Sequence, residues 1–142
     1  ISVSWSIKEQ VPSLAVPNLE LAIEFYSRLG FKVEWQWPRL DTTHVGLRHG
    51  PCALMLTLNE PTGRGDIYYV VDDIQGCYTA IIEARPWEVA ETFWCSSIRD
   101  DGPPKRALSP PEPPTVKPHG HEDFSLLDPW GHQLTFGREE VV

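Results

Sequence analysis

An internal repeat constrains this chain more than any other feature. Val16-Pro17-Asn18-Leu19 recurs as Val71-Asp72-Asp73-Ile74. At the same offset Ala22 falls on Cys77, Ile23 on Tyr78, Tyr26 on Ile81 and Leu29 on Ala84. Each copy reads as a strand that ends in Asn or Asp and then opens an amphipathic helix. A second echo sets Leu47-Arg48-His49-Gly50 against Leu127-Asp128-Pro129-Trp130-Gly131, each ahead of an apolar run. The chain therefore reads as two copies of one small α+β unit, sized to share a single core across 142 residues. A duplicated unit of this kind tends to enclose a cleft between copies, which points to a ligand site before any catalytic residue is named.

The local pattern fills in both units. Residues 11–17 alternate as a strand, Asn18 caps a helix carrying Ala22, Ile23, Tyr26 and Leu29 on one stripe, and Gly30 supplies a left-handed stop. Phe31, Val33, Trp35 and Trp37 then alternate with Lys32, Glu34 and Gln36, a strand with one strongly aromatic face. Residues 43–48 and 52–58 flank His49-Gly50-Pro51 as a hairpin, and 60–65 is a linker. The second unit opens with a strand at 66–71 and a helix at about 74–84, and closes with a hairpin of 122–127 and 132–136. Module one is expected over about 11–60 and module two over about 66–137 of a single domain, 1–142. Within module two, a Pro-rich insertion spans about 85–118. It holds Pro86, Pro103, Pro104, Pro110, Pro111, Pro113, Pro114 and Pro118, over half of the chain's 14 prolines. Such a stretch is expected to form neither regular helix nor central strand, with 105–118 extended. A lid, a partner-binding arm and a passive insertion all fit it.

Charge narrows the partners. With 20 acidic and 12 basic residues the net charge is -8, so nucleic acid is not an expected partner. Cationic ligands, or solubility alone, fit better. No apolar stretch approaches the ~20 residues of a membrane span, and no signal peptide is visible. The three cysteines, Cys52, Cys77 and Cys95, form no Cys-x-x-Cys pair and fit a reducing cytoplasm. Six Trp residues make an aromatic-lined pocket a serious alternative to an all-core placement.

Glu24-Phe25-Tyr26-Ser27-Arg28-Leu29-Gly30-Phe31 resembles the helix end of the vicinal-oxygen-chelate superfamily, and Asp128-Pro129-Trp130-Gly131-His132 resembles its Asp-Pro-x-Gly-Asn hairpin, with His for Asn. Together with Val71-Asp72-Asp73-Ile74, and Gly120 ahead of Phe124, the pattern is similar to the glyoxalase/bleomycin-resistance group from about Val11 to Phe136. The resemblance implies an α+β fold of two βαβββ modules, each a curved mixed sheet, and a homodimer whose cups are built across module boundaries or by strand exchange.

The same resemblance tests for a metal. Its enzymes place a His on the first strand, a His or Gln on the fifth and a Glu on the last, and those positions hold Val11, Asp66 and Thr135 here. Val cannot bind a divalent ion, Thr is a poor ligand, and one Asp does not hold one. His119, His121, Glu122 and His132 offer a His-x-His pair as a substitute site, or simply a polar strand entrance. No nucleophile motif or phosphate-binding glycine loop is present. No cofactor or metal is therefore expected, and no enzyme activity.

What remains is an aromatic face. Relatives in the bleomycin-resistance group imply that Trp35, Trp37 and Tyr68 line a groove where a flat heteroaromatic group stacks. His119 takes another aromatic position there, and Asp123 and Ser125 turn toward the cup beside Asp66. The bland alternative buries both Trp residues in core, where each indole N–H would need a partner. The expected function is metal-free sequestration of a planar cationic drug of the bleomycin type. An enzyme with an atypical metal site, or a binding module for another small molecule, are the alternatives.

Overall fold

The computed structural model describes residues 4–96, 102–104, 106–118 and 120–138. Its first half runs β1 (Ser13–Val16), α1 (Leu19–Ser27), β2 (Lys32–Trp37), β3 (His44–His49) and β4 (Cys52–Leu58). Its second runs β5 (Asp66–Val70), α2 (Ile74–Ala84), α3 (Trp87–Ser96), β6 (Thr115–Val116), β7 (Glu122–Leu127) and β8 (Gln133–Arg138). The first sheet has strand order β1-β4-β3-β2 and the second β5-β8-β7-β6. In each, the opening strand pairs parallel with the closing one and the other pairings are antiparallel. The repeat in the sequence is thus a repeat in topology, a pair of βαβββ modules with α3 added.

Equivalent residues do equivalent work. The Asn18 side chain accepts the Leu21 N–H at 3.0 Å and caps α1; Asp73 accepts the Gly76 N–H at 2.9 Å and caps α2. The turn after α1 needs a positive φ, which Gly30 supplies at +91°.

Alternation decides which face of each sheet is covered. Leu14, Val16, Val45, Leu47, Leu54 and Leu56 turn one face of the first sheet onto α1, where Ala22, Phe25 and Tyr26 are fully buried. Phe124, Leu126, Leu134 and Phe136 do the same in the second sheet against Ile74 and Ile81, and both sets belong to one continuous core. Each such side chain contributes about 1.5–3 kcal/mol by leaving water. The modules are also joined by polar bonds. The Tyr26 phenol donates to Asp128 at 2.9 Å, across the boundary. His132, 2% exposed, donates from Nε2 to the Ala15 carbonyl at 2.8 Å and accepts the Gly65 N–H on Nδ1 at 2.7 Å. Burial raises the Asp128 carboxyl above its usual range even though Tyr26 and the backbone of Trp130 and His132 donate to it.

The insertion departs from its expected form. A regular helix, α3, lies within it. The prolines sit at Pro86 and from Pro103 onward, so residues 87–96 are free of them. Pro86 stands just ahead of the first turn, where a missing N–H costs nothing. Trp87, Val89, Ala90 and Phe93 form the buried stripe, and Trp94 donates its indole N–H to the Pro129 carbonyl at 2.8 Å. Farther on, Thr115–Val116 is the edge strand of the second sheet, not merely extended loop. No helix among the described residues is long and apolar enough to cross a membrane.

Candidate functional site

The covered faces leave two uncovered ones. On the first sheet, the uncovered face is aromatic. Val33 pairs with Leu47 but Trp35 pairs with Gly46, so a bulge at Glu34 shifts the alternation by one residue. Phe31 therefore stays in the core at 4% exposure, while Trp35 and Trp37 turn to the opposite face at 43% and 62%. The reading of Phe31 through Trp37 as one face is corrected by that bulge, and neither indole is core. A β-carbon at Gly46 would collide with the Trp35 indole, so this glycine is what lets the ring lie against β3. The Trp37 ring rests 5.7 Å from that of His44.

On the second sheet, the uncovered face is a concavity of about 570 Å³. One row across it is Tyr68, Thr135 and Ser125, from β5, β8 and β7. The Thr135 and Ser125 hydroxyls lie 2.9 Å apart. Tyr68 is 44% exposed and its phenol lies over Gly137, where any side chain would collide with it. The Tyr68 ring is 6.4 Å from that of His121. Asp66 lies at one corner beside Gln133, and Asp123, 6% exposed, lies at another. Lys117 reaches to 3.5 Å from the Asp123 carboxylate.

Four expected residues, Asp66, Tyr68, Asp123 and Ser125, thus share one concavity. Trp35 and Trp37 do not line it. They occupy the other sheet, and His119 lies outside the described residues. Lys117, Pro118 and Gln133 also line the concavity and were missed. Gln133 was detectable, because it alternates with Thr135 on the last strand. Lys117 was hidden by the prolines around it, since only the β6–β7 pairing brings it to Asp123.

Of the three residues at the metal positions of enzymatic relatives, Asp66 and Thr135 line the concavity and Val11 does not. Thr135 is engaged by Ser125, which leaves one carboxylate as a strong oxygen donor among the three. That donor set does not fit a divalent ion. Among the described residues no group of three His, Cys, Asp or Glu side chains is arranged to hold one. A larger recess, about 630 Å³, opens at the module seam beside Leu29, His49, Cys77 and Phe136.

The sequence profile of the Glyoxalase/Bleomycin resistance protein/Dioxygenase superfamily matches residues 10–136. A bleomycin resistance determinant encoded on the transposon Tn5 superposes with a TM-score of 0.67 at 17% identity, covering 95% of this chain and 100% of that one. A bleomycin-binding protein complexed with bleomycin gives 0.67 at 18%, covering 94% and 100%. A lactoylglutathione lyase from Agrobacterium tumefaciens gives 0.63 at 16%, covering 93% and 94%. At these identities the likeness shows the fold alone. No curated protein sequence matches the chain.

Proposed function

Because the chain belongs to the Glyoxalase/Bleomycin resistance protein/Dioxygenase superfamily, we propose that it is a metal-free binding protein that sequesters a planar cationic drug of the bleomycin type. One observation carries this reading. The chain leaves two indoles exposed on one sheet, and an acidic, hydroxyl-lined concavity exposed on the other. A ligand with flat rings and a positive charge matches both, by stacking and by Coulomb attraction. The likeness to a bleomycin-binding protein supports the drug class.

The two halves lie on different sheets, so the reading includes a homodimer. In it the first sheet of one copy faces the second sheet of the other, and Trp35 and Trp37 complete the cup that Asp66, Tyr68, Asp123 and Ser125 begin. The free cysteines fit a cytoplasmic location. Sequestration needs no chemistry on the ligand, in keeping with the donor set at Val11, Asp66 and Thr135.

The test is a calorimetric titration of bleomycin, with and without its copper, against the purified protein. Saturable binding is expected, weakened by about 2 kcal/mol or more when Trp35 or Trp37 is replaced by Ala. Absence of heat at high micromolar drug rules out this drug class. Stoichiometric metal that survives dialysis would instead favour an enzyme with an atypical metal site.

A further inference from the structure

Two carboxylates in one concavity suit a dication, but the structure gives Asp123 away. Lys117 lies 3.5 Å from the Asp123 Oδ1 and donates to the Thr115 hydroxyl at 2.5 Å. Its backbone is fixed as well. The Lys117 N–H donates to the His121 carbonyl at 2.8 Å, and its carbonyl accepts the Gly120 N–H at 2.9 Å. An ammonium has three protons to donate. One is spent on Thr115, Asp123 balances the charge at ion-pair distance, and the half-exposed side chain leaves donor capacity for a ligand.

Asp66 is differently placed. It is exposed, and no ion pair engages it among the described residues. It sits opposite Gln133 and, one strand farther, Leu127, whereas Asp123 sits opposite Gly137. At ~3.4 Å per residue and ~4.8 Å per strand, the two corners are about 16 Å apart between backbones. The row between them, Tyr68, Thr135 and Ser125, is neutral. The concavity is therefore an exposed negative charge, a neutral polar floor and a far corner where a half-exposed ammonium stands beside a buried carboxylate.

We propose that this concavity takes an elongated zwitterion, its cationic end on Asp66 and its anionic end on Lys117. The proposal rests on the reading of this face as a ligand site, and it replaces a purely cationic ligand with one that also carries an anionic group. A dication would set its second charge against Lys117, and a plain anion would meet Asp66. A flat core between the two ends stacks on Tyr68, and hydroxyl or carbonyl groups along it find Ser125 and Thr135.

Three probes with one ring system separate the possibilities: aminomethylbiphenyl carboxylate with its charges at opposite ends, its methyl ester, and the methylbiphenyl carboxylate that lacks the amine. Calorimetry on the full chain should rank the zwitterion above the ester and the ester above the anion. Lys117→Met should weaken the zwitterion about three- to fivefold, the range of a partly exposed ion pair, and strengthen the ester by freeing Asp123. Lys117→Arg should keep the original order, which guards against a folding defect. Asp66→Asn should weaken zwitterion and ester alike. Equal affinity of wild type for zwitterion and ester, with Lys117→Met changing neither, overturns the zwitterion assignment alone. If wild type binds none of the three but binds bleomycin, the zwitterion class is wrong and the site stands. If it binds neither probe nor bleomycin, the ligand-site reading falls with it.

Discussion

His132 holds the chain's two halves together with a single ring. Its Nδ1 accepts from a linker amide and its Nε2 donates to a β1 carbonyl, so only the neutral Nε2–H tautomer serves both. Truncation to Ala orphans an amide and a carbonyl in a part-buried place. His132→Ala is expected to cost about 2–4 kcal/mol in urea unfolding. His132→Asn, the residue at this position in the resembling hairpin, should cost less because it can still reach one partner. A loss under about 1 kcal/mol for the Ala variant would mean that water replaces both bonds. The sequence set this His at the start of the last strand, one residue ahead of where β8 begins. It could not show the bonds, because Ala15 and Gly65 are distant in the chain.

Three groups weigh on the alkaline side, and one is Tyr26, whose phenol is held by burial well above its usual range. Burial pushes the Tyr69 phenol up from 10.0 to about 12, and the Cys77 thiol from 9.0 to about 11. All three groups keep their proton more tightly folded than unfolded. Their contribution is whole below the unfolded values and is lost as pH rises through the folded ones. Stability should therefore decline between about pH 9 and pH 12, and Tyr69→Phe should flatten the upper part of that decline. A thiol reagent at mild pH should modify Cys52 and Cys95, both exposed, well before Cys77. Three thiols reacting at one rate would contradict the placement of Cys77.

At the scale of elements, caps and alternation were legible and irregularities were not. Asn18 and Asp73 announced α1 and α2 because capping is local chemistry. The bulge at Glu34 has no such signature, so Phe31 and the two Trp residues looked like one face. α3 was missed because the prolines were read across the whole insertion, and β6 because a two-residue strand exists only by its pairing with β7. The floor under Trp35 provides a test of the bulged strand. Gly46→Ala should displace the indole from β3, shift the Trp emission, and weaken drug binding nearly as much as Trp35→Ala does. Unchanged emission and affinity would show that the ring is free to move without consequence.

For the whole molecule, the decisive fact is that the two sheets share their core through their helix-covered faces. Residue patterns told which face of each strand is apolar. They carried no information on how one sheet sits against the other, and so the expected site joins Trp35 and Trp37 of the first sheet to a concavity of the second that they do not line. The proposed homodimer makes this testable by mixing. A Trp35→Ala/Trp37→Ala variant and an Asp66→Asn/Tyr68→Ala variant should each bind poorly alone. Exchanged subunits in a two-fold dimer should regain about a quarter of the wild-type sites. No recovery after subunit exchange would place the site within one chain, or deny the dimer.

Two outward faces, each with half of what a ligand needs, also make capture a matter of dosage. In the proposed dimer a lone chain lacks the indole half of its cup, and below the dissociation constant of the pair the number of complete cups rises with the square of the chain concentration. Halving the concentration of the chain would then cost more than half of the complete cups. Ligand wedged between the faces would pull chains together, so exposure to the drug would itself recruit idle subunits into service.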